Sequence, residues 1–177
     1  VSGAEFARPL RAETIGDDAR TVEIEADAGE RAALATRFGL VEIERLAARF
    51  SIRRDAQGIA AQGRVEAVLT QACSVTGDPL PARVDEPVTL RFVPDGDDTQ
   101  DEVELDESDV DVIPYEGDAI DLGEVAAETM ALALDPFVRG PNAEAELKQA
   151  GVISEEDARP LGALGGLKDL LAGKPKS

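Results

Sequence analysis

The chain contains no histidine and no tryptophan, and only one cysteine, one tyrosine and one methionine in 177 residues. Each shortage excludes a class of chemistry. Without imidazole there is no histidine general base and no histidine metal ligand, so Ser-His-Asp, Cys-His and histidine–metal centres are excluded. The lone Cys73 has no internal disulfide partner and cannot build a cysteine-cluster zinc site. Its ordinary role is that of a small buried residue. Aromatics make up 3% of the chain, so the core must rest on Leu, Val, Ile and Ala. The first twenty residues lack an apolar segment flanked by positive charge. No apolar run is long enough to cross a bilayer. The expectation is a soluble protein of a reducing compartment, which for a bacterial chain is the cytoplasm.

Basic residues are also scarce where acids are most abundant. The formal charge is -19, and it is unevenly spread. Residues 1–91 hold 15 acids against 12 arginines, residues 92–138 hold 16 acids and no Lys or Arg, and residues 139–177 hold 6 of each. The whole molecule is therefore not expected to adhere to nucleic acid or an anionic membrane. Any contact with a polyanion needs a local basic face. Within the acidic quarter, "PDGDDTQDEVELDESDVD" reads as a mobile, solvated loop over 95–111, because its carboxylates repel one another and offer little to bury. It lacks the fixed spacing and glycine of a calcium-binding loop, so neither a metal nor a cofactor is expected. Asp97, Asp98, Asp101 and Glu102 offer a docking surface for a basic partner instead.

What is present in quantity is periodic hydrophobicity. The chain reads as a single α+β domain spanning 1–177. "RTVEIEA" is a short strand. "DAGERAALATRFG" is a helix over about 28–38, opened by Asp27 with Glu30 as a capping box and stopped by Gly39. In "VEIERLAARFSIRRD", Leu46, Ala48, Phe50 and Ile52 alternate with Arg45, Ala47, Arg49, Ser51 and Arg53. "AQG" turns the chain into a strand that places Val65, Ala67, Leu69 and Cys73 on one face. "SVTGDPLP" turns it again, into "EPVTLRFV" with Val88, Leu90 and Phe92 inward. These three strands form an antiparallel meander with one buried and one wet face. A helix over about 121–134 packs against it, a short helix follows Asn142, and a Leu-spaced segment (Leu161, Leu164, Leu167, Leu170, Leu171) closes the chain.

Two constellations carry the functional question. Asp121 and Glu124 in "DLGE" stand three apart, as acid/base partners or cation ligands do. They meet the criteria of a capping box better. Gly123 is out of place in a helix's first turn, and close approach of a neighbouring part of the meander would explain it. The second constellation is the set Arg45, Arg49, Arg53, Arg64 and Arg91, which all oppose the inward residues of their strands. Arginine forks suit phosphate, and a sheet face is one platform for RNA. Two features weigh against it: the face has no stacking aromatics, and nearby acids can neutralise it.

The run "GRVEAVLTQACSVTGDPLPARVDEPVTLRFVP" (63–94), an acidic gap, and "AIDLGEVAAETMALALDPF" (119–137) together resemble the YceD family. The opening "EFARPL" and closing "RPLGALGGLKDLL" also fit, and the overall flavour resembles the alphaproteobacterial branch. The positions matching the family pattern are Cys73, Asp121, Leu122, Gly123 and Glu124. The resemblance implies a cytoplasmic, non-enzymatic factor supporting synthesis, processing or stability of large-subunit ribosomal RNA. Genes of that family often sit beside one for a small large-subunit ribosomal protein, so the resemblance also implies a role in ribosome assembly. Many relatives carry a second cysteine three residues after the first, where this chain has Thr76, so the zinc site plausible in them is not available here. Two partners follow as expectations: large-subunit ribosomal RNA or its precursor, met through the arginine face, or a basic ribosomal protein, held through the acidic segment.

Overall fold

Three long runs of alternating apolar residues build the body of the protein. A computed structural model describes residues 5–95 and 110–152. The Leu-spaced tail and Asp97, Asp98, Asp101 and Glu102 of the acidic segment lie outside the described residues. The strands are β1 (Pro9–Arg11), β2 (Arg20–Glu25), β3 (Glu42–Asp55), β4 (Gly58–Ala72), β5 (Pro79–Pro94), β6 (Asp111–Tyr115) and β7 (Ala119–Asp121); helix α1 (Ala28–Phe38) lies between β2 and β3, and α2 (Leu122–Leu132) and α3 (Ala143–Gln149) follow β7. The main sheet has the order β2-β3-β4-β5-β6, and β1 pairs with β7 in a small second sheet. The α+β class holds.

The antiparallel part runs from β2 through β5, one strand more than the three of the expected meander. Sheet alternation sorts its residues. Leu46, Phe50 and Ile52 of β3, Ile59, Val65 and Leu69 of β4, and Val88, Leu90 and Phe92 of β5 are buried on one face. Helices α1 and α2 cover that face, contributing Leu34 from α1 and Leu122, Val125, Ala126 and Met130 from α2. Gly63 stands on the inner side of β4, where a Cβ would strike the Phe50 ring and the Arg49 carbonyl. Its missing side chain lets Phe50 lie flat in the core.

Two strand assignments differ from the sequence reading. Strand β5 begins at Pro79 rather than near Glu86. Pro79, Pro81 and Pro87 share one parity along it, and β6 pairs only with residues 90–94. Proline is tolerated on a strand edge where its missing N–H faces no partner, so these residues mark a free edge rather than a turn. Strand β6 starts at Asp111, the last residue of the expected acidic loop, and lies parallel to β5. Residues 96–109 between them lie outside the described part.

Helix α1 opens as its sequence requires. Asp27 accepts from the Glu30 amide at 2.9 Å, and Glu30 accepts from the Asp27 amide at 2.8 Å. Gly39 closes the helix in the left-handed conformation, φ 65°.

Candidate nucleic-acid interface

The "DLGE" segment is a socket for the N-terminal strap, residues 5–8. Asp121 caps α2: its Oδ1 accepts from the amides of Gly123 at 2.9 Å and Glu124 at 3.3 Å. The same oxygen accepts from the Arg8 amide at 2.8 Å. The Leu122 amide donates to the Arg8 carbonyl at 3.3 Å. A Cβ on Gly123 would overlap the Phe6 carbonyl oxygen. The close approach expected at Gly123 is therefore real, but the strap makes it and the meander does not. Phe6 is fully buried, and the Arg8 guanidinium lies 4.6 Å from its ring centroid while pairing with Glu30 on α1.

The expected second half of the capping box at Asp121 is absent. The Glu124 carboxylate does not return to its own cap but takes Arg37 of α1, with Oε1 at 2.6 Å and Oε2 at 3.0 Å. Glu30 of α1, by contrast, takes the Arg8 guanidinium with both oxygens and still accepts its own cap amide from Asp27. The hydrogen bonds between Glu124 and Arg37 hold the Glu124 carboxyl below the usual carboxylate range and raise Arg37. Arg37 also holds Glu5 of the strap. Through Asp121, Glu124, Arg37 and Glu5 the strap and both covering helices are hydrogen-bonded to one another.

Cys73 is buried in the turn after β4. Its Sγ accepts from the amides of Gly140 at 3.3 Å and Thr76 at 3.5 Å. Those donors, Gly140 first, lower the thiol pKa to about 6. Among the described residues no three His, Cys, Asp or Glu side chains come together in a way that would hold a metal ion.

The outer face of the sheet collects the arginines. Register places Arg49 directly opposite Arg64, and Arg53 and Arg91 both opposite Ala60 from its two sides. Arg45 lies further along β3 on the same face, past a bulge between Ile43 and Arg45. Acids accompany them. Arg45 stands 3.8 Å from Glu25 and 3.7 Å from Glu66, Arg49 stands 3.4 Å from Glu23, Arg64 pairs with Asp85, and Arg91 pairs with Asp55 at 2.6 Å. The Arg91 hydrogen bond holds the Asp55 carboxyl below its ordinary value. Among the described residues Arg53 and Arg83 have no ion-pair partner. Arg54, one residue on, faces the other way and donates to the carbonyls of Ala12 and Ile15.

Between Arg49 and Arg64 lies a shallow depression of about 350 Å³, edged by Thr21, Ser51 and Gln62. Those three uncharged residues were not singled out from sequence, although the outward parity of Ser51 beside Arg49 and Arg53 was visible there. No helix among the described residues is long and apolar enough to cross a membrane.

A family model described as large ribosomal RNA subunit accumulation protein YceD matches residues 61–170, from within β4 through α2 and α3 and beyond. Strands β1 to β3 and helix α1 precede the matched span yet share its core. No curated protein and no solved structure gives a match.

Proposed function

Because the chain belongs to the YceD family of large ribosomal RNA subunit accumulation proteins, we propose that it is a non-enzymatic factor supporting synthesis, processing or stability of large-subunit (23S) ribosomal RNA. It meets that RNA or its precursor through the outer face of the main sheet, in the cytoplasm. One observation carries the reading: Arg45, Arg49, Arg53, Arg64 and Arg91 share one outward face on strands whose other side is firmly packed. Exposed ion pairs of the kind seen here are worth about 0–1 kcal/mol each. Phosphates can therefore displace Glu23 or Asp85 from their arginines at small cost. With the rest of the chain strongly acidic, such binding is weak and salt-sensitive, and it discriminates against RNA that does not fit the face.

The test is pull-down of precursor ribosomal RNA from growing cells by the wild-type chain and by Arg49→Glu plus Arg53→Glu. The reading expects recovery to fall sharply in the variant. Unchanged recovery would remove the arginine face from the account.

The acid partners of the arginines favour a second reading. With the basic face largely paired and 16 acids in residues 92–138, the chain also suits a basic ribosomal protein, held through Asp97, Asp98, Asp101 and Glu102. Neutralising those four residues should then abolish capture of basic ribosomal proteins. Intact capture would sink this alternative.

A further inference from the structure

The outer sheet face is organised in rows. Thr21 pairs with Ser51, Ser51 with Gln62, and Gln62 with Thr89, so four uncharged hydrogen-bonding side chains cross four strands in one line. Two residues to one side runs the row containing Arg49 and Arg64. Two residues to the other runs the row containing Arg53 and Arg91. We propose that this uncharged row and its flanking arginines seat a short run of single-stranded RNA, with the arginines on the phosphates and Ser51 and Gln62 on a base edge or ribose hydroxyl. The proposal rests on the RNA reading above and gives it a location and a ligand form.

Three observations support it. Like charges directly opposite on neighbouring strands weaken a sheet, yet Arg49 and Arg64 stand abreast. Their guanidiniums are drawn apart, one to Glu23 on β2 and the other to Asp85 on β5, and the depression opens between them. An anion placed there relieves the repulsion that the two acids relieve only from the outside. The second observation is spacing. Four residues along β3 separate Arg49 from Arg53, about 13 Å at the usual rise, which spans more than one nucleotide of an extended strand between two phosphate-binding forks. The third is chemistry. Hydroxyls and a side-chain amide both donate and accept, as unpaired base edges and 2′-hydroxyls require, and guanidinium planes can stack on bases where aromatics are missing. A duplex would hide the base edges from this row, so single-stranded RNA is the form that fits.

The test is fluorescence anisotropy with a labelled single-stranded RNA oligonucleotide over a salt series, using the full chain and three double variants whose melting is checked first. Arg49→Gln/Arg64→Gln should weaken binding about tenfold and reduce the salt slope by about 1.4. Ser51→Ala/Gln62→Ala should weaken it about fivefold with the slope unchanged, since no phosphate contact is lost. Glu23→Gln/Asp85→Asn frees both arginines and should tighten binding about threefold, a gain that damage to folding cannot imitate. Wild-type affinity in all three variants would overturn the seat while leaving RNA binding elsewhere on the chain intact. Absence of RNA binding by the wild-type chain would overturn the seat and direct RNA contact together. Loss of ribosomal-protein capture in Arg49→Gln/Arg64→Gln, with no RNA bound by any form, would assign the face to a protein partner and also overturn the proposal.

Discussion

Glu124 reaches across from α2 to grip Arg37 on α1, two helices joined by a fork at 2.6 and 3.0 Å between residues 87 apart in the chain. The Glu124 carboxyl is held below its ordinary value by this bond. The stabilisation is therefore complete above the unfolded-state value, about pH 4.3, and is lost as pH falls through the lower folded-state value. Glu124→Gln should cost about 1 kcal/mol near neutrality. Its difference from wild type should vanish in strong acid, as read from urea midpoints across pH.

Gly123 has no room for a side chain, because the Phe6 carbonyl fills the place. Gly123→Ala should destabilise the protein by about 3 kcal/mol, the upper range for forced overpacking. Hydrogen exchange should locate the damage, with the Arg8 amide losing protection first. A wild-type exchange rate at Arg8 would contradict the strap's dependence on this glycine.

Asp121 serves three amides with one oxygen. Removing it leaves both a helix end and the strap unsatisfied. Asp121→Ala should cost about 2 kcal/mol, at the high end for a cap. Asp121→Asn, which keeps an acceptor, should cost clearly less. Equal losses in thermal melts would show that charge, rather than hydrogen bonding, is what the site needs.

Cys73 is expected to titrate near pH 6, because amides of Gly140 and Thr76 point at its sulfur. Thiolate ultraviolet absorbance of the native protein should rise with that midpoint, and in the unfolded chain near the ordinary thiol value. A depressed value stabilises the fold fully above the unfolded-state pKa, and the gain disappears as pH falls through about 6. The stability gap between wild type and Cys73→Ser should accordingly widen from pH 6 to pH 9. A constant gap would refute the shift.

Much of this architecture is legible from local pattern alone. The alternation through Leu46, Ala48, Phe50 and Ile52 specifies the inner face of β3, and Asp27 with Glu30 specifies the start of α1. Both depend on residues a few positions apart. Misreadings occur where distant partners decide. Asp121 and Glu124 satisfy the same local rule as Asp27 and Glu30, but Glu124 turns to Arg37 on the other helix and leaves its cap, whereas Glu30 holds Arg8 and its cap together. Pro79 and Pro81 look like turn residues until β5 is known to have a free edge. The arginines' outward parity was visible in the sequence, whereas their acid partners Glu23, Glu66 and Asp85 come from neighbouring strands in a register no local pattern reveals.

The strap also sets a clock. Arg8 and Asp121, which bond each other, are 113 residues apart. At about 5–20 residues per second, synthesis separates their appearance by roughly 6 to 20 s. Strands β2 to β5 pair with one another and are all made before α2, which covers part of their inner face. During translation the nascent protein passes through an interval in which these strands are made while Phe6 still has no socket. An aromatic residue that ends fully buried is thus made long before Gly123, the residue whose missing side chain receives it.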